Sequence, residues 1–212
     1  MRITVFGASG GTGKMLVRLA LDESHEVTAV VRDPAKLGTR HEKLSVVRAD
    51  VLDSAAIKPA VKEADAVFSA LGAKQRSDPA RICSRGIHSI LEAMSAVGTR
   101  RLLCISAAPV AEATEGDRLL YRALARPLLR AILREAYADM ATMEREVTAS
   151  DTEWTVFRPP KLIDKPSGGG YRTAYNANVA GGYRIARADL ATEMLARVSD
   201  PASYGKFIGI GY

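Results

Sequence analysis

The sequence predicts a doubly wound α/β fold, in which helices cover both faces of a parallel β-sheet. Short apolar runs alternate with helical stretches along most of the chain, and these runs are too apolar to leave one face of a sheet in water. A glycine-rich turn follows the first run, where sheets of this kind bind ligands. Because 212 residues suit one packed core, we expect residues 1–212 to form a single domain.

The expected elements follow one another in regular order. The predicted strands lie at 2–7, 26–31, 44–50, 66–72, 101–107 and 153–159. The predicted helices lie at 11–22, from about 54, and at 78–97 and 127–149. Beyond Pro160 the chain is loop-like, and a helix at 188–199 and a strand at 206–210 complete it. We expect this small C-terminal extension to fold over the carboxyl edge of the sheet, on the substrate side.

Composition excludes several classes of protein. No apolar run approaches the roughly 20 residues of a membrane-spanning helix, and the opening "MRITVFG" lacks the pattern of a secretory signal. These features predict a cytoplasmic protein without membrane insertion. Cys83 and Cys104 have neither disulfide-scaffold nor zinc-site spacing, so we expect no metal and interpret Cys104 as a buried, reduced thiol.

The net charge of +6 favours an anionic ligand or partner. No nucleic-acid-binding motif and no interleaved aromatic residues accompany this charge, and a phosphorylated small molecule accounts for it equally well. We therefore expect a small-molecule acceptor and no nucleic acid. We expect the protein to be a monomer or a weak homodimer.

The turn "VFGASGGTGK", residues 5–14, lies between the first strand and the first helix. There Gly7 is expected to make the tight turn, Gly10 to let a dinucleotide's diphosphate approach, and Gly13 to let helix and strand pack closely. The exposed N–H groups of the helix then face the anion. The alternative is that these glycines only allow the chain to turn and bind no ligand.

Other residues of the same turn are candidates for phosphate contacts. Ser9, Gly11 and Thr12 lie within it and are expected to bind the cofactor through backbone or hydroxyl groups. Lys14 is either a cationic contact or a solvated surface charge.

The end of the second strand, "VVRDPAK", predicts which dinucleotide binds. Asp33 is near the spacing of the acidic residue of NAD sites, but an Asp before Pro34 is a good helix N-cap, and capping would occupy its carboxylate. Arg32 and Lys36 suit a 2′-phosphate, which favours NADP(H) over NAD(H). The alternative is that both cations are solvated.

"ADVLD" follows the third strand. Asp50 is a candidate acceptor for the adenine amino group, and Val51 would lie against the ring. The alternative is that Asp50 caps the following helix, a position that Asp53 or Ser54 also suits.

Taken in order, the motifs "FGASGGTG", "VVRDPAKL", "ADVLD", "AVFSALG", "CISAA", "YADMATMEREVTASDTEWTVFRPPKLID" and "ARADLA" resemble the NmrA-like group of atypical short-chain dehydrogenases/reductases. The resemblance is to its biliverdin reductase B and flavin reductase branch and covers nearly the whole chain. It implies a Rossmann fold, an NADP(H) cofactor and a 2′-phosphate on Arg32. It further implies that Ser106 lies beside the nicotinamide and that two segments pass the cofactor, namely Ala70, Leu71 and Gly72, and Arg158, Pro159 and Pro160.

One departure from the wider superfamily limits the chemistry. Typical members use Tyr-x-x-x-Lys to exchange a proton with an alcohol or carbonyl oxygen, and none of the seven tyrosines here has Lys four residues later. A flavin, quinone or linear tetrapyrrole-like acceptor needs no such pair, because its reduced anion is delocalised and takes its proton from water. Ser106 would then position the nicotinamide or acceptor; the alternative is a serine that only forms a turn.

Two functions follow from this pattern. The first is an NADPH-dependent reductase of a flavin, quinone or related conjugated acceptor. The second is a non-catalytic, NADP(H)-sensing regulator of NmrA type.

One segment is not explained by either function. Its arginines recur every four residues, at 118, 122, 126, 130 and 134. A solvated helix face is the ordinary interpretation, and a lid, a subunit contact, or a surface for acidic partners or lipid are the alternatives.

Overall fold

The computed structural model describes residues 1–72, 80–111 and 126–212. In these ranges the strands are β1 (Arg2–Phe6), β2 (Glu26–Val31), β3 (Leu44–Arg48), β4 (Ala66–Ser69), β5 (Arg101–Ile105), β6 (Glu153–Arg158), β7 (Lys161–Ile163), β8 (Arg172–Tyr175), β9 (Arg184–Ala186) and β10 (Lys206–Gly211). The helices there are α1 (Gly11–Asp22), α2 (Ser54–Val61), α3 (Ile82–Val97), α4 (Arg126–Ile132), α5 (Arg134–Thr148) and α6 (Arg187–Ala196).

Eight strands form one sheet in the order β3-β2-β1-β4-β5-β6-β10-β8. From β3 to β10 neighbouring strands are parallel, and the chain moves outward from β1 in both directions. This order confirms the predicted doubly wound α/β fold. All the parallel strands end at one edge, which therefore collects the turns that follow β1, β2, β4, β5 and β6.

Apolar side chains pack on both faces of the sheet. One core joins the sheet to α1 and α6 through residues such as Leu16 and Met194. The other joins it to α2, α3 and α5 through residues such as Ile57, Ile90 and Val147. Cys83 and Cys104 are buried and form no disulfide in the described residues, as predicted for Cys104, and burial raises the pKa of the Cys104 thiol.

The segment after Pro160 contains strands that the sequence did not predict. β8 joins the edge of the main sheet and runs antiparallel to β10, while β7 and β9 form a separate parallel pair. These strands are short, and β8 is mostly exposed, so no apolar run marks it. The expected strand at 206–210 is present as β10, and the helix expected at 188–199 is α6.

The helix expected at 127–149 is divided. It breaks at Leu133, whose backbone is not helical, into α4 and α5. Of the five regularly spaced arginines, Arg118 and Arg122 lie outside the described residues. The break separates Arg126 and Arg130 on α4 from Arg134, so the four-residue spacing does not continue along one helix. No helix in the described ranges is long and apolar enough to span a membrane.

Arg101, the first residue of β5, ties the sheet to the C-terminal segment. It is 4% exposed and its guanidinium lies 4.4 Å from the centre of the Tyr204 ring. It donates to the carbonyls of Glu153, Arg197 and Val198 and to the hydroxyls of Thr155 and Ser203. Burial lowers the pKa of Arg101 to about 10, which leaves the side chain charged at neutral pH.

We predict that Arg101→Met lowers the free energy of unfolding by about 2–4 kcal/mol, because it leaves buried carbonyls without donors. Urea unfolding followed by circular dichroism measures the loss. Arg100→Met is the matched control, since the Arg100 side chain is exposed and, among the described residues, forms a surface ion pair with Glu153 alone, so its effect should stay within about 0.5 kcal/mol. Equal effects of the two substitutions would contradict this role for Arg101.

Candidate functional site

The glycine-rich turn is built by a close approach of backbone segments. Gly7 has a φ of 72°, and a Cβ there would lie 2.5 Å from the carbonyl oxygen of Ala70, after β4. A Cβ on Gly13 would lie 2.1 Å from the carbonyl oxygen of Gly7, so the first turn of α1 rests directly on the end of β1. Side chains at these two positions would push α1, β1 and the turn after β4 apart.

The amino end of α1 is open to a ligand. Gly10 is its N-cap and offers no side-chain cap, and its own N–H donates to the carbonyl of Gly7 at 2.9 Å. The first N–H groups of α1 therefore point outward without a side-chain acceptor. Ser9 is exposed, Thr12 is buried and Lys14 is half-buried in the same turn. This arrangement suits an anion such as a diphosphate.

At the end of β2 the two predicted cations differ in their surroundings. Asp33 caps the short helical turn at 34–36, accepts from the N–H of Ala35 at 3.1 Å and pairs with Lys36 at 3.1 Å. The Lys36 hydrogen bond is the main cause that lowers the pKa of Asp33. The predicted capping role of Asp33 is confirmed. Arg32 is exposed and forms no ion pair with any residue in the described ranges, so its guanidinium is available to a ligand.

The turn after β3 presents Asp50 to solvent. Asp53, rather than Asp50, caps α2 by accepting from the N–H of Ala56 at 3.0 Å, whereas Asp50 accepts from the N–H of Leu52. The capping alternative for Asp50 is therefore wrong. A Cβ on Gly86 of α3 would lie 2.6 Å from the Leu71 side chain and 3.5 Å from that of Val51. Gly86, which the sequence did not single out, thus lets α3 approach two of the predicted cofactor-lining residues.

Beyond β5, Ser106 is buried at 3% exposure, and its Oγ has no hydrogen-bond partner among residues 1–72, 80–111 and 126–212. Its N–H donates to the carbonyl of Phe157 at 2.7 Å, and the N–H of Ala108 donates to the carbonyl of Pro159 at 2.8 Å. These bonds hold the segment after β5 against the segment that follows β6. Gly72 is exposed and Pro160 is half-buried.

A second unpartnered polar atom lies in contact with the same segment. Asn178 Nδ2 donates to the carbonyl of Ala108 at 3.0 Å, and its Oδ1 is buried without a partner in the part of the chain that the structure describes. A Cβ on Gly209 of β10 would lie 2.2 Å from the carbonyl oxygen of Ala177, so this glycine lets the loop carrying Asn178 rest on the sheet. No sequence motif marks Asn178. Because Nδ2 is engaged, the free atom is an acceptor that calls for a donor on a ligand.

Arg158, expected near the cofactor, holds its guanidinium between Glu144 and Phe207. It forms a two-pronged ion pair with the buried Glu144, with distances of 2.9 and 2.7 Å, and it lies 3.6 Å from the centre of the Phe207 ring. Its side chain therefore joins β6 to α5. Of this predicted segment, it is the backbone around Pro159 that lies beside Ser106.

A buried carboxylate organises the C-terminal part of the site. Asp189, in the first turn of α6, accepts hydrogen bonds from the Ser167 hydroxyl, the N–H groups of Gly168 and Gly169, and the Tyr212 hydroxyl. Burial opposes its ionisation, but these donors together hold the pKa of Asp189 below its ordinary value. The network fixes α6, the preceding glycine loop and the C-terminal residue to one another.

Another missed residue lies directly on the glycine-rich turn. A Cβ on Gly11 would lie 2.7 Å from Cδ and 2.8 Å from Nε of Arg187, at the start of α6. Arg187 also pairs with Asp164, with 2.6 Å between Nη1 and Oδ1. The quoted motif "ARADLA" contained Arg187, but nothing local in the sequence shows that it reaches the turn.

The profile of a family described as NAD(P)H-binding matches residues 7–201, from the glycine-rich turn to the segment between α6 and β10. The chain belongs to this NAD(P)H-binding family. The matched range includes each predicted cofactor-binding residue. This match agrees with the resemblance that the sequence motifs carried.

One relative of known name is similar to most of this chain. A Streptomyces protein named 3-diazoavenalumate denitrifying reductase is 35% identical over 185 residues, which cover 79% of this chain and 58% of that protein. The chain thus spans little more than half of that relative's length.

Solved structures share the fold. A short-chain dehydrogenase/reductase from Veillonella parvula in complex with NADP superimposes with a TM-score of 0.80 at 18% identity, over 100% of this chain and 94% of that one. ChuY, an anaerobilin reductase from Escherichia coli O157:H7, has a TM-score of 0.80 at 20% identity, over 99% and 96% of the two chains. At such identities the likeness shows the Rossmann-type fold.

We predict that Gly13→Ala destabilises the protein by about 1–3 kcal/mol, because its Cβ meets the backbone of Gly7, which has no flexible side chain to move aside. Urea unfolding measures the change. Gly168→Ala is the matched control, since a Cβ there meets nothing within 4 Å and its backbone needs no positive φ. A loss for Gly13→Ala no greater than that of the control would contradict the close packing of α1 on β1.

Proposed function

We propose that this member of the NAD(P)H-binding family is an NADPH-dependent reductase of a flavin, a quinone or a related conjugated acceptor. The observation that carries the proposal is the buried, unpartnered hydroxyl of Ser106, which lies at the same sheet edge as the open amino end of α1. A buried hydroxyl without a partner is costly in a folded protein and is characteristic of ligand sites. The reaction would therefore occur beside Ser106.

In this proposal the residues around the glycine-rich turn hold the cofactor. The turn from Gly7 to Gly13 receives the diphosphate, and Asp50 and Val51 receive the adenine. Arg32 binds the 2′-phosphate, which is why we propose NADPH rather than NADH. The exposed, unpaired state of Arg32 supports this choice, whereas Lys36 must leave its ion pair with Asp33 to contribute.

The bound nicotinamide supplies a hydride, and the protein supplies position. The Ser106 hydroxyl and the Oδ1 of Asn178 are available to orient the nicotinamide carboxamide or the acceptor by hydrogen bonds. Orientation of two reactants in one site is itself a large part of catalysis. Neither residue needs to become a nucleophile for this role.

Tyr171 and Tyr212 of the C-terminal segment are not activated for proton exchange with an alcohol. Burial and the neighbouring Glu193 raise the pKa of Tyr171 to about 12, and its hydroxyl donates to Glu193. Burial and Asp189 likewise raise the pKa of Tyr212. Proton exchange with an alcohol needs a tyrosine whose pKa is lowered. The reductase names of the Streptomyces and Escherichia coli relatives support reduction as the reaction type.

We predict that the purified protein oxidises NADPH when FMN, riboflavin or a quinone is added, measured by the loss of NADPH absorbance. Ser106→Ala should lower kcat/KM by about 10- to 100-fold, the cost of one positioning hydrogen bond in a buried site. Ser45→Ala, on the exposed face of β3, is the matched control and should be neutral. Tight NADPH binding without turnover of any acceptor would exclude the reductase and favour the NADP(H)-sensing regulator.

Cofactor choice has its own test. Arg32→Asp should weaken NADPH binding by about 10- to 100-fold and change NADH binding by less than about threefold, because only NADPH carries the 2′-phosphate. Calorimetric titration measures both affinities. Arg40→Asp makes the same charge change at an exposed residue beyond the turn and serves as the control. Equal losses for the two cofactors would show that Arg32 does not contact the 2′-phosphate.

A further inference from the structure

The contact between Arg187 and Gly11 places a guanidinium on the glycine-rich turn. The side chain of Arg187 crosses Gly11 so closely that a Cβ would collide with both its Cδ and its Nε. Gly11 is the first residue of α1, whose opening N–H groups have no side-chain cap. The Arg187 side chain thus occupies the space beside Gly11, whereas Gly7 and Gly13 face backbone atoms.

Two features of the fold bring Arg187 to this position. α1 packs against α6, and both helices begin at the carboxyl edge of the sheet. The pairing of β7 with β9 then fixes the position of Ala186, the residue that precedes α6. In its register Ile163 of β7 lies opposite Ala186 of β9, so the next residues, Asp164 and Arg187, are also neighbours.

The partner of Arg187 is weakly held. The side chain of Asp164 is 87% exposed, whereas that of Arg187 is 28% exposed. An ion pair with so exposed a carboxylate contributes little to stability, because water and salt screen it. The backbone of Arg187 is fixed in position, because Asp189 of the same helix accepts hydrogen bonds from Ser167 and Tyr212. The arginine can thus change its partner without a change in the backbone.

Other charges near the start of α6 do not cancel this cation. Asp189 is buried and its carboxylate accepts hydrogen bonds from four separate groups, so its oxygens are already occupied. Lys14 of α1 adds a second, half-buried cation in the first turn of the helix. The open end of α1 and the guanidinium therefore both attract an anion.

We propose that Arg187 closes over the glycine-rich turn and binds the diphosphate of the dinucleotide, and that Asp164 holds the guanidinium in place when no cofactor is bound. The diphosphate replaces Asp164 as the acceptor of the Arg187 N–H groups. This inference rests on the proposed NADP(H) binding. It assigns to the C-terminal segment a direct part in cofactor affinity.

The test is calorimetric titration of the protein with NADP⁺ and with 2′-AMP, which has the 2′-phosphate but no diphosphate. Arg187→Ala should weaken NADP⁺ binding by about 10- to 100-fold, the size expected for lost charge-assisted hydrogen bonds, and should leave 2′-AMP binding within about twofold. Arg187→Lys keeps the charge but not the planar guanidinium, so its NADP⁺ affinity should lie between those of the wild type and Arg187→Ala. Arg184→Ala removes an equal charge from an exposed side chain at the start of β9 and is the control.

Asp164→Asn tests whether Asp164 only holds the Arg187 guanidinium in the absence of cofactor or whether their ion pair is needed for the structure of the site. Removal of the competing charge should tighten NADP⁺ binding by about threefold; a loss as large as that of Arg187→Ala would overturn the proposal. Thermal unfolding of the cofactor-free variants checks the fold, and Arg187→Gln replaces Arg187→Ala if the latter unfolds. NADP⁺ binding by the wild type that is unchanged in the Arg187 variants overturns this inference alone. No NADP⁺ binding by the wild type overturns the proposed function as well.

Discussion

The rest of the structure depends on the crowding of backbone around the carbonyl oxygen of Gly7. That oxygen accepts the N–H of Gly10, and the Cα of Gly13 is close enough that any Cβ there would strike it. The turn after β4 presses on Gly7 from the other side through Ala70. Three backbone segments can meet at one point only when side chains are absent. Their meeting brings the open end of α1 to the edge where the site is built.

The C-terminal segment completes that edge through polar interactions rather than through a core of its own. Asp189 links α6 to the glycine loop and to Tyr212, and the β7–β9 pair aligns Asp164 with Arg187. Because Gly209 has no side chain, the loop that carries Asn178 packs directly on β10. These contacts join residues that are distant along the chain, and each one positions a polar group beside the turns that follow the central strands.

The contrast between satisfied and unsatisfied buried groups indicates where a ligand belongs. Arg101 and Asp189 are buried, and the structure provides several hydrogen-bond partners for each. Within the described ranges, Ser106 Oγ and Asn178 Oδ1 are the buried side-chain atoms without a partner. Both belong to the carboxyl edge, because one follows β5 and the other bonds to the segment that follows it. Groups that serve only the fold are paired, and these two are not.

The sequence by itself determined the central strands and helices, the doubly wound order they imply and the glycine-rich turn, because each rests on a local pattern of apolar residues or on the absence of side chains over a few positions. It also indicated that Asp33 would cap a helical turn. Only the tertiary structure decided that Arg158 pairs with Glu144 and that Arg187 lies on Gly11. These partners are separated by up to 176 positions in the chain in the case of Gly11 and Arg187. The contact of Gly11 with Arg187 follows from the packing of α1 on α6 and the register of β7 with β9, for which no local pattern exists.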